Sequence, residues 1–391
     1  MPRSSKDSSP EWLIDDEAKF ERFLDAIDGH DWLAVDTEAN PMHAYRERVC
    51  LIQVSSEADD FILDPISEVD LEPFLDLLSN PGIAKIFHDA EYDTIQLRRH
   101  FGVQLRGLVD TQVMAVALGE SQVGLASLVE RYLGVKLDKR YQRSNWGMRP
   151  LGEGQLEYAK NDTRYLIPLV DELEAKLDDC DELVHLEIDS EIHRLENLVV
   201  PEREPVDPEG FLKLKGARSL NPEQQRLLRE IWNWRERESE KRDLPPFKVI
   251  GNTQLIALAK HGPTSRKSLA DTPGLPPSIA QRHGAALQKV LDEARKLPPY
   301  QVEKPTKKSK DRWQRDEREA LDRLKRWRKH RADLRPTDPS HILNREVMEE
   351  LARFSPAPRS LRELAATGLL ERWRLGAYGQ EILAALQAGA R

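Results

Sequence analysis

The first half of the chain alternates short apolar runs with longer periodic ones. WLAVDTE (32–38), VCLIQVS (49–55) and DFILD (60–64) are rich in Val, Ile and Leu and stand turn-length intervals apart, which predicts strands in an antiparallel meander. LEPFLDLLS (71–79) has a helical period, and IAKIF (83–87) is again strand-like. Helical patterns follow at 93–101, 110–118 and 125–133, with a long one over 154–177. Strands first, then strands mixed with helices, predict a mixed sheet with helices packed on it.

Two Pro-rich polar stretches, 201–210 and 297–311, have the composition of linkers and leave segments 1–200, 212–297 and 311–391. The second and third show no convincing strand and read as all-α. They also resemble each other: residues 227–259 align with 320–352, pairing Trp234 with Trp327 and Asn252 with Asn344. Two small helical domains related by duplication are expected.

Composition adds what periodicity cannot. No apolar run approaches the roughly 20 residues of a membrane span, and the start of the chain lacks the apolar core of a signal peptide. Two cysteines cannot supply a disulfide framework, so a cytoplasmic, soluble protein with no membrane partner is expected. The net charge of −9 is unevenly placed. Residues 1–200 carry 20 Lys and Arg against 41 Asp and Glu, residues 201–300 carry 18 against 13, and residues 301–391 carry 21 against 14. An acidic front suits divalent cations and a basic back suits a polyanion, although surface composition alone also produces such asymmetry.

Candidate chemistry lies in the acidic segment. Asp36 and Glu38, at i and i+2 near the end of a strand, share one face. On a buried strand that pair is costly without a cation, whereas D-T-E in a solvated turn costs nothing. Asp93 stands where a helix follows a buried strand, a position that also fits a simple N-cap. Tyr158 and Asp162, four apart, share a helix face.

In this order, D-x-E, H-x4-D and Y-x3-D resemble the tyrosine-containing branch of the DEDD exonuclease superfamily. The flanking blocks AVDTEANPMHAYRERVCLIQVSS, KIFHDAEYDTIQLRRHFGV, LVDTQVMAVALG, RSNWGMRPL and QLEYAKNDTRYLIPL are similar to ribonuclease D, and the helical pair resembles HRDC domains. The resemblance implies a ribonuclease-H-like mixed α/β exonuclease domain followed by two all-α helical domains. It implies a 3′→5′ exoribonuclease releasing nucleoside 5′-monophosphates from RNA with a free 3′ end, tRNA precursors being the family's usual substrate. Two divalent cations, Mg²⁺ or Mn²⁺, would be held by Asp36, Glu38, Asp93 and Asp162, with Tyr158 holding the attacking water. No obligatory protein partner is implied. Many relatives carry an aromatic residue after the D-x-E glutamate; this chain has Ala39, leaving His43 or Tyr45 to take that place.

One stretch of the acidic segment is basic. Residues 131–150 hold Arg140, Arg143 and Arg149 among Tyr132, Tyr141 and Trp146, a pattern that suits a single strand of RNA through phosphate contacts and stacking, or a solvated connector. Two other functions stay open on sequence: a DNA 3′→5′ exonuclease of the Werner type, and an inactive RNA-binding scaffold.

Overall fold

The structure is a computed structural model that describes residues 9–200, 207–301, 313–334 and 337–388. Most of the two Pro-rich stretches lies outside these residues. A six-stranded sheet is built from β1 (Leu13–Ile14), β2 (Trp32–Ala39), β3 (Val49–Ser55), β4 (Asp60–Leu63), β5 (Ala84–Phe87) and β6 (Leu108–Asp110), in the order β1-β4-β3-β2-β5-β6. β3 and β4 pair antiparallel, as expected of the meander, while β2 with β5, β5 with β6, and β1 with β4 pair parallel. The sheet is therefore mixed, and β2 is central, between β3 and β5.

Helices α1 (Glu17–Ile27), α2 (Glu72–Leu78) and α3 (Glu91–Phe101) belong to the layer on one face. There Phe20, Phe23 and Phe74 pack with Leu33, Val35, Ile52 and Val54 in one core cluster. Helices α4 (Thr111–Ala117), α5 (Leu125–Leu133), α6 (Glu153–Arg164), α7 (Leu166–Leu177) and α8 (Glu182–Glu196) complete the nuclease half. Ala34 and Ile86 pack with Met114, Leu128 and Leu166 of α4, α5 and α7. Because side chains alternate along a strand, Asp36 and Glu38 share the face of Ala34. β2 pairs with β5 only as far as Ala34–Ile86, so the two carboxyl groups stand just beyond that ladder, at the carboxyl end of the strand.

Two expected helices differ in the structure. The pattern over 154–177 is two helices, because Pro168 in the first turn of α7 has no N–H to continue the ladder and its ring excludes a straight run through residue 164. The pattern over 110–118 begins with the end of β6; Asp110 caps α4, and the apolar residues before it belong to the sheet.

The chain forms two compact units. One combines residues 1–38, 49–200 and 311–391; the other combines 39–48 with 201–310. In the second, α9 (Pro222–Arg242), α10 (Pro246–Val249), α11 (Asn252–His261), α12 (Arg266–Ala270) and α13 (Pro277–Ala294) surround Leu228, Ile231, Leu255, Leu287 and Leu291. Residues 39–48 pack here: Arg46 is paired with Glu240 at 2.5 Å, the Tyr45 N–H donates to Asp243 at 3.0 Å, and His43 Nδ1 lies 2.9 Å from Lys248 Nζ. In the first unit, α14 (Arg315–Leu334), α15 (Pro339–Ile342), α16 (Arg345–Arg353), α17 (Leu361–Ala366) and α18 (Arg372–Gln387) form a small bundle around Leu324, Met348 and Ile382. It docks on α8. Tyr378 donates to Glu187 at 3.3 Å, Ser190 donates to Glu371 at 2.9 Å, and Arg374 reaches Ser190 at 3.1 Å.

Glu187 is 1% exposed beneath this bundle, so removing residues 313–391 would bare a face of α8 that carries buried polar groups. The truncated protein is expected to melt at a lower temperature than the full chain in a calorimetric scan. An unchanged melting temperature of the nuclease half would show that the docking contributes nothing to it.

Candidate active site

Asp36 and Glu38 on β2, Asp93 on α3, and Tyr158 and Asp162 on α6 are drawn from three elements far apart in sequence. Asp93 is not the N-cap of its helix. Ala90 holds that position, and Asp93, three residues later, faces β2. The Thr37 N–H donates to Asp93 Oδ1 at 3.1 Å, and the Thr37 hydroxyl donates to the same oxygen. Thr37 alternates with Asp36 and Glu38, so the residue between the two carboxylates on the strand secures the third.

Helix α6 is fixed to the sheet below the site. Ser55 on β3 lies 2.7 Å from the Thr163 hydroxyl and donates to Asp60 at 2.7 Å, while Arg164 Nε reaches the other Asp60 oxygen at 2.7 Å. Leu156 and Ala159 pack with Leu51 and Ile62 on the same side. This seating directs Tyr158 and Asp162 toward β2, where the phenol and the carboxyl one turn along act on each other's proton affinity.

Electrostatics show how near the groups stand. Burial, then Asp93, Asp162 and Glu38, hold the Asp36 carboxyl well above its ordinary range. Glu38 is pushed up to about 9 by burial and by Asp162 and Asp93. Asp93 rises to about 7, chiefly through burial and against the Thr37 hydrogen bonds, and Asp162 rises to about 7 through burial, with Asp93 adding to it. Burial, with Asp162, Glu38 and Asp36 beside it, drives the Tyr158 phenol far above 10, so it keeps its proton. Like charges this close favour either protons or a multivalent cation.

Within residues 131–150, Tyr141, Trp146 and Arg149 form a cover beside α6, while Lys136, Lys139, Arg140, Gln142 and Arg143 are exposed. Trp146 is 1% exposed and stacks on Tyr158 with ring centroids 6.0 Å apart. Tyr141 lies 6.5 Å from the Tyr158 ring, and a Cβ on Gly154 would run into the Tyr141 hydroxyl. Arg149 uses every N–H it has: Nε and Nη2 on Asp64 at 2.5 and 2.7 Å, Nη2 also on the Cys50 carbonyl, and Nη1 on the Trp146 and Met148 carbonyls. Trp146, expected to stack on a base, thus lies against Tyr158, and Arg149, expected to meet a phosphate, lies on Asp64 and three carbonyls. The indole is enclosed by protein, and the guanidinium is fully engaged in holding the cover to the sheet. Arg140 is exposed and paired with Asp138 at 2.5 Å; Arg143 is exposed and makes no ion pair among the described residues. Thr37 and Asp64 were not foreseen, since each acts on a partner many residues away.

A buried parallel-and-antiparallel sheet with carboxylates gathered at the end of its central strand defines a nuclease of the 3′–5′ exonuclease class. The 3′–5′ exonuclease family profile matches residues 12–178, and the HRDC domain profile matches twice, at 224–291 and 317–386. Ribonuclease D of Zymomonas mobilis is 32% identical over 297 residues, covering 74% of each chain. Ribonuclease D of Haemophilus influenzae is 31% identical, over 68% of this chain and 66% of that one. The crystal structure of Escherichia coli RNase D superposes with a TM-score of 0.58 at 25% identity, over 96% of this chain and 98% of that one. The exosome complex component 10 homolog of Caenorhabditis elegans and the exosome complex exonuclease RRP6 of Saccharomyces cerevisiae also match, over 35% and 37% of their length. The chain belongs to the ribonuclease D family: a 3′–5′ exoribonuclease domain followed by HRDC domains.

Exonucleases of this family depend on divalent metal, and the residues present fit that requirement. All four acidic donors are hard oxygens, suited to Mg²⁺ or Mn²⁺ over softer ions. Their raised proton affinities are what cation binding would relieve. Among the described residues, no three acidic, His or Cys side chains are already drawn into a single coordination sphere.

Two outcomes follow. Folded-state pKa values near 7 for Asp93 and Asp162 and near 9 for Glu38 exceed the unfolded values near 4, so the folded state binds more protons across that window. In chelator the melting temperature should fall as the pH rises through 7 toward 9; added Mg²⁺ should reverse the fall at the alkaline end. A flat profile in chelator would contradict the gathered charges. Separately, Trp146→Ala should cost about 3–5 kcal/mol of stability in denaturant unfolding, as for other buried aromatics. A loss of RNA affinity with unchanged stability would restore the stacking role.

Proposed function

We propose that the chain hydrolyses RNA from its 3′ end, one nucleotide at a time, releasing nucleoside 5′-monophosphates at two divalent ions, Mg²⁺ or Mn²⁺. The convergence of Asp36, Glu38, Asp93 and Asp162, each with its proton affinity raised by burial and like charge, is the observation that carries this reading. Residues 1–200 act as the nuclease, with 212–297 and 311–391 as two helical domains. RNA precursors with a free 3′ end, tRNA precursors foremost, are the substrate class, and the reducing cytoplasm suits a chain whose two cysteines are unpaired.

In this reading the four carboxylates are the metal ligands. Divalent ions bound there would lower the pKa of the attacking water and neutralise charge on the phosphate and the departing 3′-oxygen. The residues themselves do the rest. The Tyr158 hydroxyl keeps its proton beside Asp162 and has lone pairs free to accept a hydrogen bond from the attacking water. With its pKa far above 10, Tyr158 orients that water and does not abstract a proton from it. Thr37 keeps Asp93 facing β2. Arg143, and Arg140 beside its partner Asp138, are exposed cations of this stretch available to a phosphate, as are Lys136 and Lys139.

Purified protein offered matched RNA and DNA single strands with Mg²⁺ or Mn²⁺ is expected to shorten the RNA from its 3′ end and leave the DNA largely intact. Equal digestion of both would favour a DNA exonuclease. Asp36→Asn and Asp162→Asn should each abolish turnover while RNA binding survives. Tyr158→Phe should slow turnover by about 10²–10⁴-fold, the range for a positioned proton-handling group. Near wild-type rates in the aspartate variants would end the carboxylate assignment.

A further inference from the structure

Asp110 is 1% exposed and is none of the residues placed above in the metal site. Its carboxylate is unusually occupied. Oδ1 accepts from the N–H groups of Asp89 at 3.1 Å, Gln112 at 2.8 Å and Val113 at 3.3 Å, and Oδ2 accepts from the Ala90 N–H at 2.7 Å. Two of those donors are the first orphan amides of α4, for which Asp110 is the ordinary N-cap. The other two belong to the turn from β5 into α3, and Ala90, the cap residue there, offers no side-chain cap of its own. One carboxylate thus serves the starts of two helices.

The second turn needs that service. Asp89 has φ +64°, a left-handed conformation uncommon outside glycine, although Asp adopts it more readily than most residues. The neighbouring Thr111 adds to the restraint, donating to the Phe87 carbonyl at 3.2 Å and lying 2.8 Å from His88 Nδ1. Three residues beyond Ala90, on the rigid first turn of α3, comes Asp93, which Thr37 receives from the opposite side.

We propose that Asp110 is a positioning residue for the nuclease reaction: by clamping Asp89 and Ala90 to the start of α4, it fixes where α3 begins and so where Asp93 meets the catalytic strand. This rests on the reading of Asp93 as a metal ligand. Removing the clamp leaves the ligand present but displaced. Its first consequence is therefore weaker metal binding, with RNA binding untouched.

Two variants separate geometry from charge. Asp110→Asn keeps the size and the helix cap but must turn an NH₂ toward one set of N–H donors. Asp110→Glu keeps the negative charge and misplaces it by a methylene. Full-length proteins are titrated with Mn²⁺ in calorimetry without RNA, and their rates on a single-stranded RNA are measured across Mn²⁺ concentrations, with Asp93→Asn alongside. Both Asp110 variants are expected to bind Mn²⁺ more weakly, on the order of 10–100-fold, as when an outer partner of a ligand is lost. Their half-saturating Mn²⁺ should rise equally, their Michaelis constant for RNA should hold, and their rate should recover at high Mn²⁺; Asp93→Asn should not recover. Wild-type Mn²⁺ affinity in Asp110→Glu with weakened affinity in Asp110→Asn would make the effect one of charge and overturn the clamp. A lowered melting temperature in either variant, with wild-type Mn²⁺ affinity at temperatures where it is folded, would also overturn it, leaving Asp110 a residue of the fold alone. If Asp93→Asn itself binds Mn²⁺ and turns over like the wild type, the metal-site reading has failed, a result distinct from failure of the clamp.

Discussion

Two carboxylates that share a face at the end of a central strand lose hydration and repel one another, and here two more are brought beside them from helices. Nothing in the apolar core compensates for that. The groups stay together because each is carried by an element anchored elsewhere: β2 by its ladders, α3 by the turn at Asp89 and by Thr37, α6 by Ser55, Asp60 and Arg164. The site is thus a place where the fold holds charge against its own tendency to separate, which is the condition under which a polar site is organised before anything binds.

The cover over 131–150 shows how such anchoring consumes residues whose chemistry looks available. Arg149 has the fork geometry that favours a phosphate, and the same fork fits a carboxylate and three carbonyls. Trp146 gives a broad apolar face to Tyr158, beside the phenol that faces Asp162.

Much of this was legible beforehand. The four longer strands announced themselves as apolar runs, and the D-x-E, H-x4-D and Y-x3-D spacings named the acidic cluster and its tyrosine. What escaped was whatever depended on a distant partner. β1 and β6 span two and three residues, too short for a period to register. The role of Arg149 is decided by Asp64, 85 positions earlier, and that of Thr37 by Asp93, 56 positions later. Composition identified the basic, aromatic character of 131–150 but carries no sign of which side faces water.

The duplicated helical modules have the same plan and different surroundings. Trp234 is buried edge-on against His283, whereas its counterpart Trp327 donates to Glu381 at 2.7 Å and meets Tyr378, the residue that also reaches α8. A substitution harmless at one tryptophan disturbs a different set of neighbours at the other, so the two positions are not interchangeable although they occupy the same place in the plan.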